Sequence, residues 1–267
     1  MTARGLRRHA AILRAFWGAN LAEELQYRAN FFASLVGSAF WLAMAILTAA
    51  VFFRHTTTLG GWSFWEVVAL LGVFTAVSGV VEAVLRPNVG ALAQQVRDGS
   101  LDLVLSKPVD AQLWVSFRRL AFWRLTDVAL GLGLCLLAVL RLDTAPGPAA
   151  LLAFAVAGVS AVAIVYAVWL TLMTLAFWFV AVENLSVLFD AVYETARFPV
   201  AAYPGALRFL LTWLLPVAWM TTVPAAALTG RGGLGRTLVA AALAVLLLAA
   251  SRLLWRRALG SYTSAGG

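Results

Sequence analysis

Residues 31–53 contain no charged side chain, and neither does the longer run 149–182. Few folds accept such stretches. A hydrocarbon layer roughly 30 Å thick is crossed by about 20 apolar residues in a helix, and the runs 31–53, 62–85, 120–140, 149–182, 206–228 and 237–255 meet or approach that length. The period-2 alternation that marks a membrane barrel is absent. Lipid offers backbone groups no hydrogen bonds, so the spans are expected to be helices. The expectation is an all-α membrane protein with six embedded helices. A hydrophobic content of 63% with only 12% charged residues agrees with it, as does a mean hydropathy of +0.89.

The net charge of +8 raises the question of nucleic acid, but the basic residues are distributed as membrane topology requires. Arg4, Arg7, Arg8, Arg14 and Arg28 precede the first span; Arg86, Arg97, Lys107, Arg118 and Arg119 lie between the second and third; Arg252, Arg256 and Arg257 close the last. The other loops carry only Arg54, Arg141, Arg231 and Arg236. Both termini and the long loop are therefore expected in the cytoplasm, the protein in the plasma or inner membrane, and nucleic acid is not expected as a partner. The chain divides into an N-terminal segment 1–30, a membrane domain 31–255 containing the loop 86–119, and a tail 256–267. Within the first segment, Leu6, Ala10, Leu13, Trp17 and Leu21 recur at helical spacing. An amphipathic helix lying among lipid headgroups is expected there. The 31–53 run is longer than a signal peptide's apolar region of about 7–15 residues, so the segment is expected to stay attached.

The loop 86–119 is the only sizeable polar element between spans. Pro87 is expected to stop the second span; Val89, Leu92 and Val96 mark one face of a short helix; Asp98-Gly99 forms a helix-ending turn. Leu101, Val104 and Leu105 make a second apolar cluster that Lys107-Pro108 ends, and Asp110 is placed to cap the next helix. The pattern is a compact helix-turn-helix.

The run 149–182, taken as one helix, would reach about 51 Å, so part of it projects or bends. After it, Glu183, Asp190, Glu194 and Arg197 fall on one helical stripe. Two topologies fit. Either the stripe lies at the interface and 206–228 crosses, or the striped helix crosses and the run interrupted by Pro216 and Pro224 dips in and returns. Intramembrane charges are costly and mark functional candidates: Glu66, Glu82, Arg124, Asp127, Asp190, Glu194 and Arg197. Glu82 with Arg86 and Arg124 with Asp127 are also spaced as local ion pairs, whereas Asp190, Glu194 and Arg197 are candidates for a translocation path. The chain contains no phosphate-cradling G-x-x-x-x-G-K-[ST], no G-x-S-x-G and no H-E-x-x-H. Cys135 stands alone, and His9 and His55 cannot build a metal site by themselves. No enzymatic activity, metal or cofactor is expected.

The segments VRDGSLDLVLSKPV (96–109), ELQYRANFF (24–32) and YPGALRFLLTWLLPVAWMTTVPAAALTG (203–230) resemble, in kind and order, those of type-2 ABC exporter permeases. The resemblance implies one half of a dimeric permease, driven by a separate cytoplasmic ATPase, with a second permease, identical or a sibling, as the other half and membrane lipids around both. It implies a coupling helix at Val96, Arg97, Asp98, Gly99, Ser100, Leu101 and Asp102, and a re-entrant outer element at 203–230, which favours the second topology. The minimal outer loops depart from relatives that carry a large external domain. A secondary transporter would be expected to show broken spans in matching halves, and no such internal match is visible. A membrane scaffold without an ATPase partner is the other alternative.

Overall fold

A computed structural model describes residues 14, 16–22, 24–25, 28–107, 109–179 and 183–262. The described residues are helical almost throughout, with no strand and one isolated bridge, Leu59 to Trp62. Five helices have the length and apolarity to cross a membrane: Phe31–Phe53, Phe64–Arg97, Phe122–Val139, Pro148–Phe177 and Leu234–Ser261. A sixth embedded element is a pair, Gly205–Leu214 and Ala218–Leu228, bent by 77°. In chain order the elements are α1 (Arg28–Phe53), α2 (Phe64–Val80), α3 (Leu92–Arg97), α4 (Leu101–Leu105), α5 (Ala111–Phe117), α6 (Leu125–Val139), α7 (Pro148–Thr174), α8 (Glu183–Glu194), α9 (Gly205–Leu214), α10 (Ala218–Leu228) and α11 (Leu234–Ser261).

The centre of the bundle is α2. Two-thirds of its apolar window is buried (67%), against 6% for α1. Glu66 starts α2 by accepting the Ser63 N–H at 2.7 Å, which satisfies a backbone donor that has no partner inside the helix. Glycines then let α6 approach closely. A Cβ on Gly72 would meet Cys135 Sγ and Gly131 O at 2.7 Å, and one on Gly79 would meet Val128 N at 2.7 Å. Small residues at such crossings let two backbones pack directly, the main source of attraction between helices in lipid. On another side of the bundle, Ile164, Trp169, Leu170 and Met173 of α7 are fully buried.

Pro87 does not stop the second span, which runs on through Arg97. A π turn, Val81–Leu85, precedes it, and Pro87 falls in the first turn of the helical segment that follows. There its missing N–H leaves no hydrogen bond broken. The run expected at 149–182 ends as a helix at Phe177; residues 180–182 lie outside the described set. At 30 residues, or about 45 Å, it exceeds the hydrocarbon layer and projects beyond it.

Contacts toward the two ends of the bundle bear on the two topologies. In the second half of α8, Asp190 pairs with Arg86, where the loop 86–119 begins. At the opposite end Gly60, with φ +58°, packs against the backbone of Ala201 and Ala202. The segment from α8 to Ala202 therefore runs from one end of the bundle to the other. The α9–α10 pair starts beside Ala202 and finishes before Arg231, which pairs with Glu66 at that same end. Both ends of the bent pair therefore lie toward one end of the bundle, the arrangement the second topology expects.

Of the expected N-terminal amphipathic helix, residues 1–13 lie outside the described set. The described part docks on the end of the loop and on the start of the next span. Trp17 Nε1 donates to Phe117 O at 3.0 Å, Glu24 Oε2 accepts from Phe122 N at 2.9 Å, and Phe16 meets Trp114 edge-on at 4.8 Å.

Candidate functional site

The charged residues inside the bundle converge on one cavity of about 500 Å³ between α1, α2, α6 and α8. Glu82, Arg86, Arg124, Asp127, Asp190, Glu194 and Arg197 all line it. Of the candidates read from sequence, only Glu66 lies elsewhere, paired with Arg231 at the other end. The expected local pairs are present. Arg86 Nε meets Glu82 Oε1 at 2.7 Å and Arg124 meets Asp127 Oδ2 at 3.7 Å; a further pair, not among those expected, joins Arg197 to Glu194 at 2.5 Å. Arg86 does more than its spacing indicated, because its Nη2 also reaches both Asp190 oxygens, at 3.1 and 3.2 Å. The candidate path residues Asp190, Glu194 and Arg197 thus share one polar surface with charges from two other helices.

An aromatic row runs from Phe74 and Tyr193 in the wall of this cavity toward α7. Phe74 stacks on Tyr193 at 5.1 Å, Tyr193 on Phe189 at 5.8 Å, and Phe189 meets Trp169 at 5.2 Å. Arg197 covers Phe74 at 5.0 Å and Arg86 covers Trp169 at 5.3 Å. Guanidinium groups are attracted to ring faces, so the row is held at both ends by cations that are themselves neutralised by carboxylates. No spacing rule signals this arrangement, because its members come from three helices.

The second candidate, the loop 86–119, is tied at its neck. Asn88 Nδ2 donates to Arg119 O at 2.6 Å and to Val84 O at 2.6 Å, and Asn88 Oδ1 accepts Arg119 N–H at 2.8 Å. Beyond the neck the expected helix-turn-helix is present as α3, a turn with Gly99 at φ +70°, and α4. Only glycine takes that φ without a steric penalty. Asp98 Oδ1 accepts the Ser100 N–H at 3.0 Å, and its bonds to Ser100 hold its carboxyl below the usual carboxylate range. The candidate coupling residues divide by exposure. Arg97 and Asp98 face solvent; Val96, Gly99, Ser100 and Asp102 are half-buried; Leu101 is fully buried and anchors α4 together with Leu92 and Val104. The sequence reading missed Leu103, which stands 69% exposed at the tip. Its signal was a leucine one step out of phase with Leu101 and Val104.

A polar relay joins the loop to two long helices. Asp110 caps α5 by accepting Leu113 N–H at 3.1 Å, and Arg252 of α11 grips both its oxygens, at 3.1 and 2.5 Å. The Arg252 guanidinium holds the Asp110 carboxyl below its ordinary range. Arg252 also donates to Gln112 Oε1 at 2.5 Å, Gln112 Nε2 donates to Tyr166 of α7 at 3.1 Å, and Tyr166 bonds Ser116 at 2.8 Å. Charge-assisted bonds, the stronger kind, thus tie α5 to α11, and neutral hydrogen bonds tie it to α7.

The family model described as ABC-2 family transporter protein matches residues 39–266. No curated protein matches the chain, and no solved structure does.

Proposed function

The chain belongs to the ABC-2 family of transporters and is a multi-pass membrane permease; from that premise we propose that it forms half of the path of an ATP-driven exporter and is worked by a separate ATPase subunit. The observation that carries this reading is the loop 86–119. It exposes Arg97, Asp98 and Leu103 at one tip and is wired through Asp110 and Gln112 to α11 and α7. A partner that grips the tip moves the neck and the relay together. ATP binding and hydrolysis on that partner, in the cytoplasm with both termini, supply the work. Differential affinity of the partner's states for the loop shifts the permease between its conformations.

In this reading the polar cavity is part of the path. Asp190 and Glu194 of α8, with Arg197 in the turn that follows it, move against α1, α2 and α6, exchanging one another for the charged or polar groups of the cargo. The other half of the path comes from a second permease, identical or a sibling, with lipid around both. The α9–α10 hairpin faces the far side and closes that end.

The test is replacement of Arg97 and Asp98 together by alanine. Both side chains are solvent-exposed, so the fold is expected to persist while the ATPase subunit no longer copurifies or is no longer stimulated. Undiminished association and transport would remove the coupling role of the loop.

A further inference from the structure

Where the α9–α10 pair bends, the bundle forms a second cavity, of about 460 Å³, between α7, α8, the bend and α11. Leu172, Leu188, Val192, Trp213, Met220 and Leu247 are among its walls, and among the described residues no charged side chain lines it. Water in such a space lacks the polar partners that would hold it. The rim is apolar too: Leu188, Trp213, Leu214 and Ala250 line the cavity and are exposed. It therefore opens sideways, where the bilayer lies.

The short bent pair accounts for the space. Its arms, Gly205–Leu214 and Ala218–Leu228, each extend about 15 Å, half of a hydrocarbon layer of roughly 30 Å. Both of its ends lie toward the Glu66–Arg231 end of the bundle. In contrast, α7 and α11 run on to the end where the loop sits: Phe177 meets Trp255 and Tyr262 at 5.8 and 5.5 Å, and Arg252 grips Asp110. What reaches the bend from that side of the bilayer is the end of an acyl chain.

The stripe of α11 that lines the cavity leads to a charge. Leu243, Leu247 and Ala250 are in its wall, and the same steps of three and four continue to Leu254 and Arg257 on one helical face. Arg257 is exposed, and among the described residues no carboxylate pairs with it. Its neighbours serve elsewhere, since Arg252 is held by Asp110 and Arg256 projects about 100° round the helix. Leu247 lies about 15 Å along the axis from Arg257, the depth of one leaflet's hydrocarbon. Exposed Trp178, beside Phe177, marks the level of Arg257 as the interface, where indole rings settle.

We propose that this cavity is a binding site for an anionic phospholipid of the leaflet on the loop side, with the phosphate at Arg257 and the end of one acyl chain beneath the bend. The arginine supplies the charge complement, and the apolar walls take the chain. The lipid fills space that the short pair leaves and supports the bend from below. This goes beyond the export reading, because the site depends on the fold and the bilayer and on no particular cargo.

The experiment places the full chain in phosphatidylcholine nanodiscs with trace phosphatidylglycerol or phosphatidylcholine carrying a diazirine near the end of one acyl chain. Labelled peptides are mapped by mass spectrometry. Phosphatidylglycerol is expected to label Met220 and Leu247 saturably, about fivefold ahead of phosphatidylcholine, the effect of one arginine on an anionic head at the interface. Arg257→Gln is expected to bring the two lipids level, and Arg257→Lys to keep the preference. Ala250→Trp, which plugs the rim at an exposed position, is expected to suppress cavity labelling by both lipids. Continued labelling of the exposed α1 residues Val36 and Phe40 shows that each variant is folded and embedded. Equal labelling by the two lipids in the unaltered chain identifies ordinary bilayer chains in the cavity and overturns the proposal, as does a preference that survives Arg257→Gln. Labelling of α1 without labelling of the cavity also overturns it, because protein, such as a second copy of the chain, then covers the rim.

Discussion

Asn88 and Arg119 hydrogen-bond in both directions, the Asn88 amide donating to the Arg119 carbonyl at 2.6 Å and accepting from its N–H at 2.8 Å. The side chain of one residue thus replaces a backbone ladder and closes the base of the loop. Asn88→Leu keeps the volume and removes all three bonds, leaving buried backbone groups unpaired. A loss of about 2–4 kcal/mol is expected, read as a fall in thermal unfolding midpoint, with faster hydrogen exchange confined to the loop and its stems. An unchanged midpoint would mean that the neck is held by packing alone.

The Asp110–Arg252 clamp carries a pH signature. The folded-state pKa of Asp110 is depressed, so its contribution is fully present above the unfolded value of about 3.9. It is lost as pH falls through the lower folded value. The stability difference between wild type and Asp110→Asn is therefore expected to be constant near neutrality and to shrink below about pH 4. A difference independent of pH down to acid unfolding would show that the carboxylate charge is irrelevant to the clamp.

Arg231 neutralises Glu66 beside Trp62. Glu66 is buried at 8% exposure, so Arg231→Met strands a carboxylate. The expected cost is about 2–3 kcal/mol, below the roughly 3–5 of a fully buried pair because the arginine is partly in solvent. Adding Glu66→Gln is expected to recover part of it. If the double variant is worse than the single by the full cost of Glu66→Gln alone, the two residues are energetically independent.

Gly131 faces Gly72 and Ala76 with no room for a methyl group. Gly131→Ala is expected to cost about 1–3 kcal/mol through overpacking, because the obstructing atoms are backbone. Gly133, two positions on, has open space at its Cβ, and Gly133→Ala is expected to be neutral or slightly stabilising. Comparable unfolding midpoints for the two variants would exclude a backbone-close α2–α6 crossing.

The spans were legible because twenty apolar residues have one solution in lipid, and the loop's turn because Asp98-Gly99 has a specific backbone demand. The local pairs Glu82–Arg86 and Arg124–Asp127 followed from helical spacing. What spacing cannot express is a partner from another helix: Asp190 as the second acceptor for Arg86, Tyr166 as the meeting point of Gln112 and Ser116, Arg231 as the counter-charge of Glu66. Pro87 misled for a related reason, since the π turn ahead of it, which places it in a first turn, leaves no mark in composition. Leu101 and Leu103 look alike in sequence, yet one is core and the other surface, because the five residues of α4 are too few to mark in sequence which side faces the bundle.

The sparse embedding of α1 governs what the polar cavity is able to do. Trp41, Leu42 and Ala45 form one of its walls, but little of that helix is locked into its neighbours. Swinging it outward exposes few side chains that were hidden, Ala49 chief among them, while the glycine-lined crossing of α2 with α6 stays shut. The chamber is thus built with one yielding partition opposite a tightly closed crossing, and it is expected to dilate sideways, toward the surrounding lipid or an adjoining subunit, before it opens along its axis.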